Sequence, residues 1–315
     1  MKKQFIDQLK AGDSLGDVFA LSEKNLLRKK DGEPYLNVTL SDRTGTLKGV
    51  AWDNVAEIRD AVSSGDIVFV TGRVSEYRGS LQAVVADMKA ASPYDRDPAD
   101  FLPATDKDIE AMFSRLKKVL SAIETPHFKR LLDAFFEDED FAPVFKAAPA
   151  AKSMHHAYIG GLLEHTLSMC LLIDKIGRHY AGINTDLLLV GAALHDIGKI
   201  REFEWTTRID YSDKGRLVGH IIMGCAMIDE RIARAGDFPE KDAVLLRHMV
   251  AAHHGSREFG SPEPPKTLEA LLLHMVDDMD AKMNGVREFI MKQDPDESWT
   301  PYHRLLERHF YVPES

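Results

Sequence analysis

The sequence predicts an α+β multidomain chain in which a five-stranded β-barrel precedes an all-α helical bundle. Three observations predict it. Residues 15–90 alternate apolar and polar side chains, residues 92–98 form a polar stretch bearing Pro93 and Pro98, and from residue 105 apolar residues recur at helical spacing. A length of 315 residues suits two or three domains.

The strands come in order. Asp17-Val18-Phe19-Ala20-Leu21 begins the first. Residues 35–40 alternate, with Leu36, Val38 and Leu40 on one face, and Ser41-Asp42-Arg43-Thr44-Gly45 is a turn cluster. Residues 46–52 make a third strand, 54–62 a short helix, 67–74 a fourth strand and 81–85 a fifth. Five short strands with a helix between the third and fourth match an OB-fold barrel, assigned to residues 1–92.

Residues 93–152 read as linker and helical connector. Within them 106–121 is amphipathic, with Ile109, Met112, Phe113, Leu116, Val119 and Leu120 as its buried stripe, 128–136 is a second helix, and 143–149 is a break bounded by prolines. Further helices are expected near 156–178, 185–197, 216–235, 240–252 and 266–283, filling a domain at 153–290. A tail at 291–315 carries a last short helix near 301–309.

Hydrophobic content of 44% and charged content of 29% describe an ordinary globular protein. There is no run apolar enough to span a bilayer, and Lys2-Lys3 is followed by Gln4-Phe5-Ile6-Asp7-Gln8 rather than an export signal, so no membrane partner and a cytoplasmic location are expected. Cys170 and Cys225 suggest no disulfide framework. The net charge of −10 is uneven: residues 1–92 hold 13 basic and 13 acidic residues, so the rest carries the whole imbalance. An acidic half is compatible with a metal that screens an anionic substrate.

Seven of the 13 histidines fall in an ordered set. His155-His156 opens it and His165 follows in Gly160-Gly161-Leu162-Leu163-Glu164-His165-Thr166. Then come Leu194-His195-Asp196-Ile197-Gly198-Lys199, Gly219-His220 and His253-His254-Gly255, with Asp277 in Leu273-His274-Met275-Val276-Asp277. Imidazole and carboxylate together bind divalent transition ions. His195 and Asp196 point about 100° apart on a helix, but both reach a metal lying off a helix tip. Asp196 is then able to bridge two ions, and Gly198 ends the helix and frees Lys199 to face a phosphate. His155-His156 is either a helix-initiating turn or, through one of the pair, a phosphate contact; His156 is the candidate. His127, His179, His248, His303 and His309 read as structural, as does His274.

This order resembles the HD-domain phosphohydrolase superfamily over residues 153–283. By that resemblance His165, His195, Asp196 and Asp277 would hold a first metal, and His220, His253 and His254 are similar to the extra ligands of two-metal members. With an OB-fold in front, the segments around His165, His253 and Asp277 look like the YhaM family of 3′→5′ exoribonucleases, over nearly the whole chain. The resemblance implies hydrolysis of single-stranded RNA or DNA from a free 3′ end to nucleoside monophosphates. It implies divalent metal, two ions with Mn2+ first, and Mg2+, Fe2+, Co2+, Ni2+ and Zn2+ as substitutes. Asp196, Lys199 and His156 are the candidate catalytic residues.

On the barrel, Tyr35, Lys48, Trp52 and Arg73 alternate away from the apolar face, and Tyr77 and Arg78 sit at a hairpin. Aromatics that stack bases beside cations that meet phosphates are what single-strand binding requires. Two other readings stand beside the exonuclease. One is a phosphohydrolase of small nucleotides or cyclic dinucleotides, although Ser256-Arg257-Glu258 stands where cyclic-dinucleotide-hydrolysing relatives carry Gly-Tyr-Pro. The other is a non-catalytic nucleic-acid-binding protein. A homo-oligomer is also expected as a means of retaining a strand.

Overall fold

The structure is a computed structural model that describes residues 2–95, 97–152, 156–291, 293 and 297–312. It divides into two compact units: Met1–Asp106 with Phe203–Ser212, and Lys107–Glu202 with Asp213–Ser315.

The first unit is the barrel. Strands β1 (Ser14–Arg28), β2 (Pro34–Asp42), β3 (Gly45–Ala51), β4 (Ile67–Tyr77) and β5 (Ser80–Ala90) close in the order β1-β2-β3-β5-β4, with helix α1 (Val55–Ala61) between β3 and β4. All pairs are antiparallel except β3 with β5. Alternation explains the closure: Leu36, Val38 and Leu40 of β2 turn inward with Phe19, Leu21, Val68, Val70 and Val85, all at 2% exposure or less. The predicted OB-fold is therefore what forms.

This unit also takes in a segment that the sequence placed among helices. After the second unit's Glu202 the chain makes a hairpin of β6 (Phe203–Trp205) and β7 (Ile209–Tyr211). The Thr207 hydroxyl at its turn donates to Gly65 O at 3.0 Å, so the hairpin is fastened to the loop before β4.

The second unit is the helical bundle. Its helices are α2 (Ile109–Leu120), α3 (Pro126–Phe136), α4 (Phe141–Ala147), α5 (Gly161–Ile176), α6 (Thr185–Leu194), α7 (Lys199–Glu202), α8 (Asp213–Val218), α9 (His220–Ala235), α10 (Glu240–Ala252) and α11 (Leu268–Met291). Every residue of α6 from Leu187 to Leu194 is buried, which makes it the central helix, packed by α3, α5, α10 and α11. On α2 only Met112, Phe113, Leu116 and Leu120 are fully buried, while Ile109 and Val119 sit at the edge of the stripe.

Two expectations of secondary structure are corrected. The break at 143–149 is largely helix α4, because Pro143 falls in the first turn, where a missing N–H costs no hydrogen bond. The helix near 301–309 does not form. Trp299 bridges Tyr311 and His303 bridges Arg308, with Glu307 at φ 51° in the turn. His309 Nδ1 and Phe310 N bond Thr300 at 2.9 and 3.0 Å, supplying partners that a helix would otherwise provide.

Candidate metal centre

Five helix segments deliver the histidines and carboxylates. His165 projects from α5 and Asp277 from α11. His195 is the C-cap of α6 with Asp196 next in chain, and His253 is the C-cap of α10 with His254 next. His220 is the first residue of α9. A helix end lets two successive residues face one point, as expected for His195 and Asp196.

The donors fall into two sets that share Asp196. Around its Oδ2 lie His165 Nε2 at 3.7 Å and His195 Nε2 at 3.5 Å, and Asp277 Oδ1 stands 3.3 Å from His165 Nε2. Around its Oδ1 lie His220 Nε2 at 3.6 Å and His253 Nε2 at 3.5 Å. His254 joins His220 and His253, one donor atom from each lying within 4.8 Å of the others, and His165, His195 and Asp277 form a second such group. All seven ligand candidates are thus brought together, His195, Asp196, His165 and His253 at 3% exposure or less.

Each imidazole is aimed by a bond from its far nitrogen. His195 Nδ1 donates to Ala192 O (3.0 Å), His253 Nδ1 to Val250 O (2.7 Å) and His254 Nδ1 to Phe259 O (2.8 Å). Glu202 Oε1 accepts from both the backbone N and Nδ1 of His220, at 2.9 and 3.0 Å. Asp280 Oδ2 accepts from His165 Nδ1 at 3.0 Å while its Oδ1 accepts from Ser168 Oγ at 2.5 Å.

The residues fit a divalent ion on three counts. Asp196 Oδ1, His220 Nε2 and His253 Nε2 are buried with no hydrogen-bond partner, a costly state unless a cation takes up their lone pairs. His165 Nε2 and His195 Nε2 lie 3.2 Å apart, a distance that needs a proton between them where a cation would otherwise sit. Burial depresses the pKa of His165, but hydrogen bonds to Asp277 and Asp280 overcome it and raise the value to about 9. Burial lowers His195 to about 4 and His254 to about 4, keeping both neutral and able to donate a lone pair. Asp196 is held well below the usual carboxylate range: burial opposes this, and Lys199 and His195 outweigh it.

The two glycines in the motifs have steric reasons. A Cβ on Gly198 would stand 2.0 Å from His220 O, so this glycine lets the start of α9 approach the His195-Asp196 corner, rather than ending α6, which stops at Leu194. A Cβ on Gly255, at φ 81°, would stand 2.2 Å from the ring of His274. That ring in turn donates from Nδ1 to His253 O at 2.8 Å.

The other candidates lie as follows. Lys199 Nζ rests on Asp196 Oδ2 at 2.5 Å. His156, at φ 58°, bonds Tyr158 Oη at 2.8 Å through Nδ1 and faces Asp280 Oδ2 at 3.7 Å through Nε2, so it touches the carboxylate behind His165. His155 lies outside the described residues. Sequence reasoning missed Asp280 and Glu202. Asp280 had a signal in its i+3 spacing from Asp277 on one helix face. Glu202 had none.

On the barrel, register puts Lys48 opposite Thr39 and Gln82, and Arg73 opposite Val84. These positions alternate with the inward residues, so Tyr35, Lys48 and Arg73 face outward on β2, β3 and β4, with Trp52 directly after β3. The Tyr35 and Trp52 rings sit 4.9 Å apart, and Lys29 Nζ lies 5.2 Å over Trp52. Trp52 is 43% and Tyr77 57% exposed, with the Arg78 guanidinium 5.3 Å over the Tyr77 ring.

Comparison with known proteins gives consistent matches. Residues 162–282 match the HD domain family, 21–91 the OB-fold nucleic acid binding domain family, and 96–184 a putative helicase family. The chain is 31% identical over 305 residues to the 3′-5′ exoribonuclease YhaM of Oceanobacillus iheyensis, covering 96% of this chain and 95% of that one. The proteins of the same name from a Geobacillus strain and from Halalkalibacterium halodurans are 33% and 30% identical, over 90% and 96% of this chain and 87% and 94% of theirs.

Proposed function

The chain belongs to the YhaM family of 3′-5′ exoribonucleases, and we propose on that premise that it removes nucleoside monophosphates one at a time from the 3′ end of single-stranded RNA. It is a metal-dependent hydrolase with an HD domain and a nucleic-acid-binding OB-fold. The observation that carries the proposal is the division of Asp196, one oxygen facing His165 and His195 and the other facing His220 and His253.

We assign one ion to His165, His195, Asp196 and Asp277, and a second to Asp196, His220, His253 and His254, with Mn2+ as the first choice. Such ions polarise water and screen phosphate in an in-line displacement. In that displacement an O–P bond forms from water, the P–O3′ bond breaks, and the leaving 3′-oxygen takes a proton. Lys199, whose ammonium lies 2.5 Å from Asp196 Oδ2, would donate to a non-bridging phosphate oxygen. Asp280 and Glu202 keep His165 and His220 in the tautomer that presents Nε2. Tyr35, Trp52 and Tyr77 supply stacking faces, and Lys48, Arg73 and Arg78 meet the backbone phosphates.

DNA is the second polymer this surface would accept, since stacking on bases and pairing with phosphates do not depend on a 2′-hydroxyl. Two unpaired cysteines suit the cytoplasm, and no described helix is long and apolar enough to cross a membrane. A second copy of the chain is proposed on α11, where Leu268, Leu271, Met275, Met279 and Met283 are each at least 40% exposed. Light scattering of the purified protein tests that. The function itself is tested with 5′-labelled and 3′-labelled single-stranded RNA and Mn2+. Stepwise shortening from the 3′ end is expected. Cleavage of free nucleotides or cyclic dinucleotides alone would replace the proposal.

A further inference from the structure

The tail at residues 297–312 contributes no metal donor, yet it carries a dense set of rings. Its two arms pair antiparallel, Trp299 against Tyr311 and His303 against Arg308, with Glu307 at φ 51° in the turn. Thr300 N donates to Phe310 O, His303 N to Arg308 O and Val312 N to Ser298 O, at 2.9, 2.8 and 2.9 Å. One face is half-buried: the His303 ring stands 4.7 Å from Phe289 of α11 and 5.9 Å from Phe310.

The other rings are open to solvent. Trp299 and Tyr311 pack at 5.4 Å and 67°, and Tyr302 and His309 at 5.4 Å and 65°. Trp299 is 59%, Tyr302 53% and Tyr311 55% exposed. Edge-to-face bracing holds these rings without covering them, so a base stacking on one would order little further. Arg304 and Arg308 are exposed among them, and neither has an ion pair among the described residues; Arg308 Nε donates to Leu306 O at 2.7 Å.

Flat rings interleaved with guanidinium groups suit single-stranded nucleic acid, whose bases stack and whose phosphates take the cations. The Leu and Met stripe of α11 has the other character, aliphatic and suited to protein. Glu297 and Glu307 match the two arginines in number, so stacking rather than net charge has to supply most of the affinity. Phe289, on which the tail rests, lies twelve residues beyond Asp277 on α11, about 18 Å along the axis. A strand with its 3′ end at the metal donors spans that length in about five nucleotides at about 3.4 Å each.

We propose that this tail is a second binding surface for single-stranded RNA, with bases stacked on Trp299, Tyr302 and Tyr311 and phosphates at Arg304 and Arg308. It holds the strand behind the nucleotide being removed, and in that respect it rests on the exonuclease reading given above.

The test is the affinity of full-length, chelator-treated protein for labelled single-stranded RNA, read by anisotropy. Trp299→Ala and Tyr302→Ala should each raise Kd by about 5- to 100-fold, the range of one lost base contact, and Trp299→Phe, which keeps a ring, by less than about threefold. The factor for Trp299→Ala should be the same at about 50 and about 200 mM salt, whereas Arg304→Ala should reduce the slope of log Kd against log salt by about 1. If both alanine variants bind within about twofold of the wild type, the proposal is overturned. Light scattering of the same variants reads the other occupant: loss of an assembly with RNA affinity unchanged would make this face a protein interface and likewise overturn it. Binding is measured without metal, so a wild type that binds RNA through this face and cleaves none would end the exonuclease reading and leave the surface standing.

Discussion

Asp280→Ala and Asp280→Asn isolate what one carboxylate contributes without touching a ligand. Asp280 is 5% exposed and accepts from His165 Nδ1 and Ser168 Oγ. Loss of a group that orients a ligating histidine costs about 10- to 100-fold in metal affinity, or about 1.4–2.8 kcal/mol. Alanine removes both acceptors and leaves a buried imidazole N–H and hydroxyl unpaired, so it belongs at the upper end and should also lower Tm. Asparagine keeps a carbonyl oxygen for His165 but no charge, and belongs at the lower end with little change in Tm. The assay is calorimetric titration of Mn2+ into chelator-treated protein, with thermal melts of the metal-free forms. If both variants bind Mn2+ within about twofold of the wild type, well short of that range, the carboxylate does not orient His165 and the reasoning is refuted.

The remaining predictions address the catalytic corner, the bundle and the barrel. Asp196→Ala should abolish turnover while binding RNA with an affinity near that of the wild type, read by filter binding beside a cleavage assay. Asp186 accepts from Glu124 N, Thr125 N and Thr125 Oγ1 at 3.0, 2.8 and 2.6 Å, so Asp186→Ala should destabilise the protein by about 2 kcal/mol in denaturant melts. Burial raises the Asp186 pKa, but the Thr125 hydrogen bonds reverse this and lower it. A depressed folded pKa means that the stabilisation is complete above the ordinary carboxylate value of about 3.9 and is lost as pH falls through the folded value. The gap in stability between wild type and Asp186→Ala should thus hold from neutral pH to about pH 5 and shrink below about pH 4; a gap that widened in acid would contradict the assignment. Trp52→Ala should weaken binding of single-stranded RNA by about 1–3 kcal/mol, seen as a higher KM with kcat little changed.

Legibility in the sequence followed the strength of local pattern. The barrel strands could be read because one face of each is buried, which forces alternation at Leu36, Val38 and Leu40. The seven metal-ligand candidates could be read because histidine is uncommon and these stand in a distinctive order. Hairpin β6–β7 was not legible: three-residue strands are too short to show alternation, and Thr206-Thr207-Arg208 carries no glycine or asparagine to mark a turn. Asp280 and Glu202 were hidden for the opposite reason. Carboxylates are plentiful in this chain, and only the meeting of α5 with α11, and of α7 with α9, separates these two from solvated ones. The role expected of Gly198 also required the fold, since it depends on where His220 O passes.

The hairpin has a consequence for how the molecule comes to be made. Domains generally fold as they leave the ribosome, the N-terminal one first. Here the N-terminal unit has a missing piece until residue 212 has been synthesised, by which time α2 to α7 and three of the seven metal-ligand candidates already exist. The fastening of Thr207 to Gly65 closes a gap of 142 residues in sequence, a late and entropically slow event. A fragment cut at residue 106 would hold every barrel strand and yet lack this piece. A deletion that treats the barrel as a contiguous module and removes residues 1–106 would leave the hairpin behind without Gly65 to fasten to, in the stretch of chain that leads from Glu202 to His220.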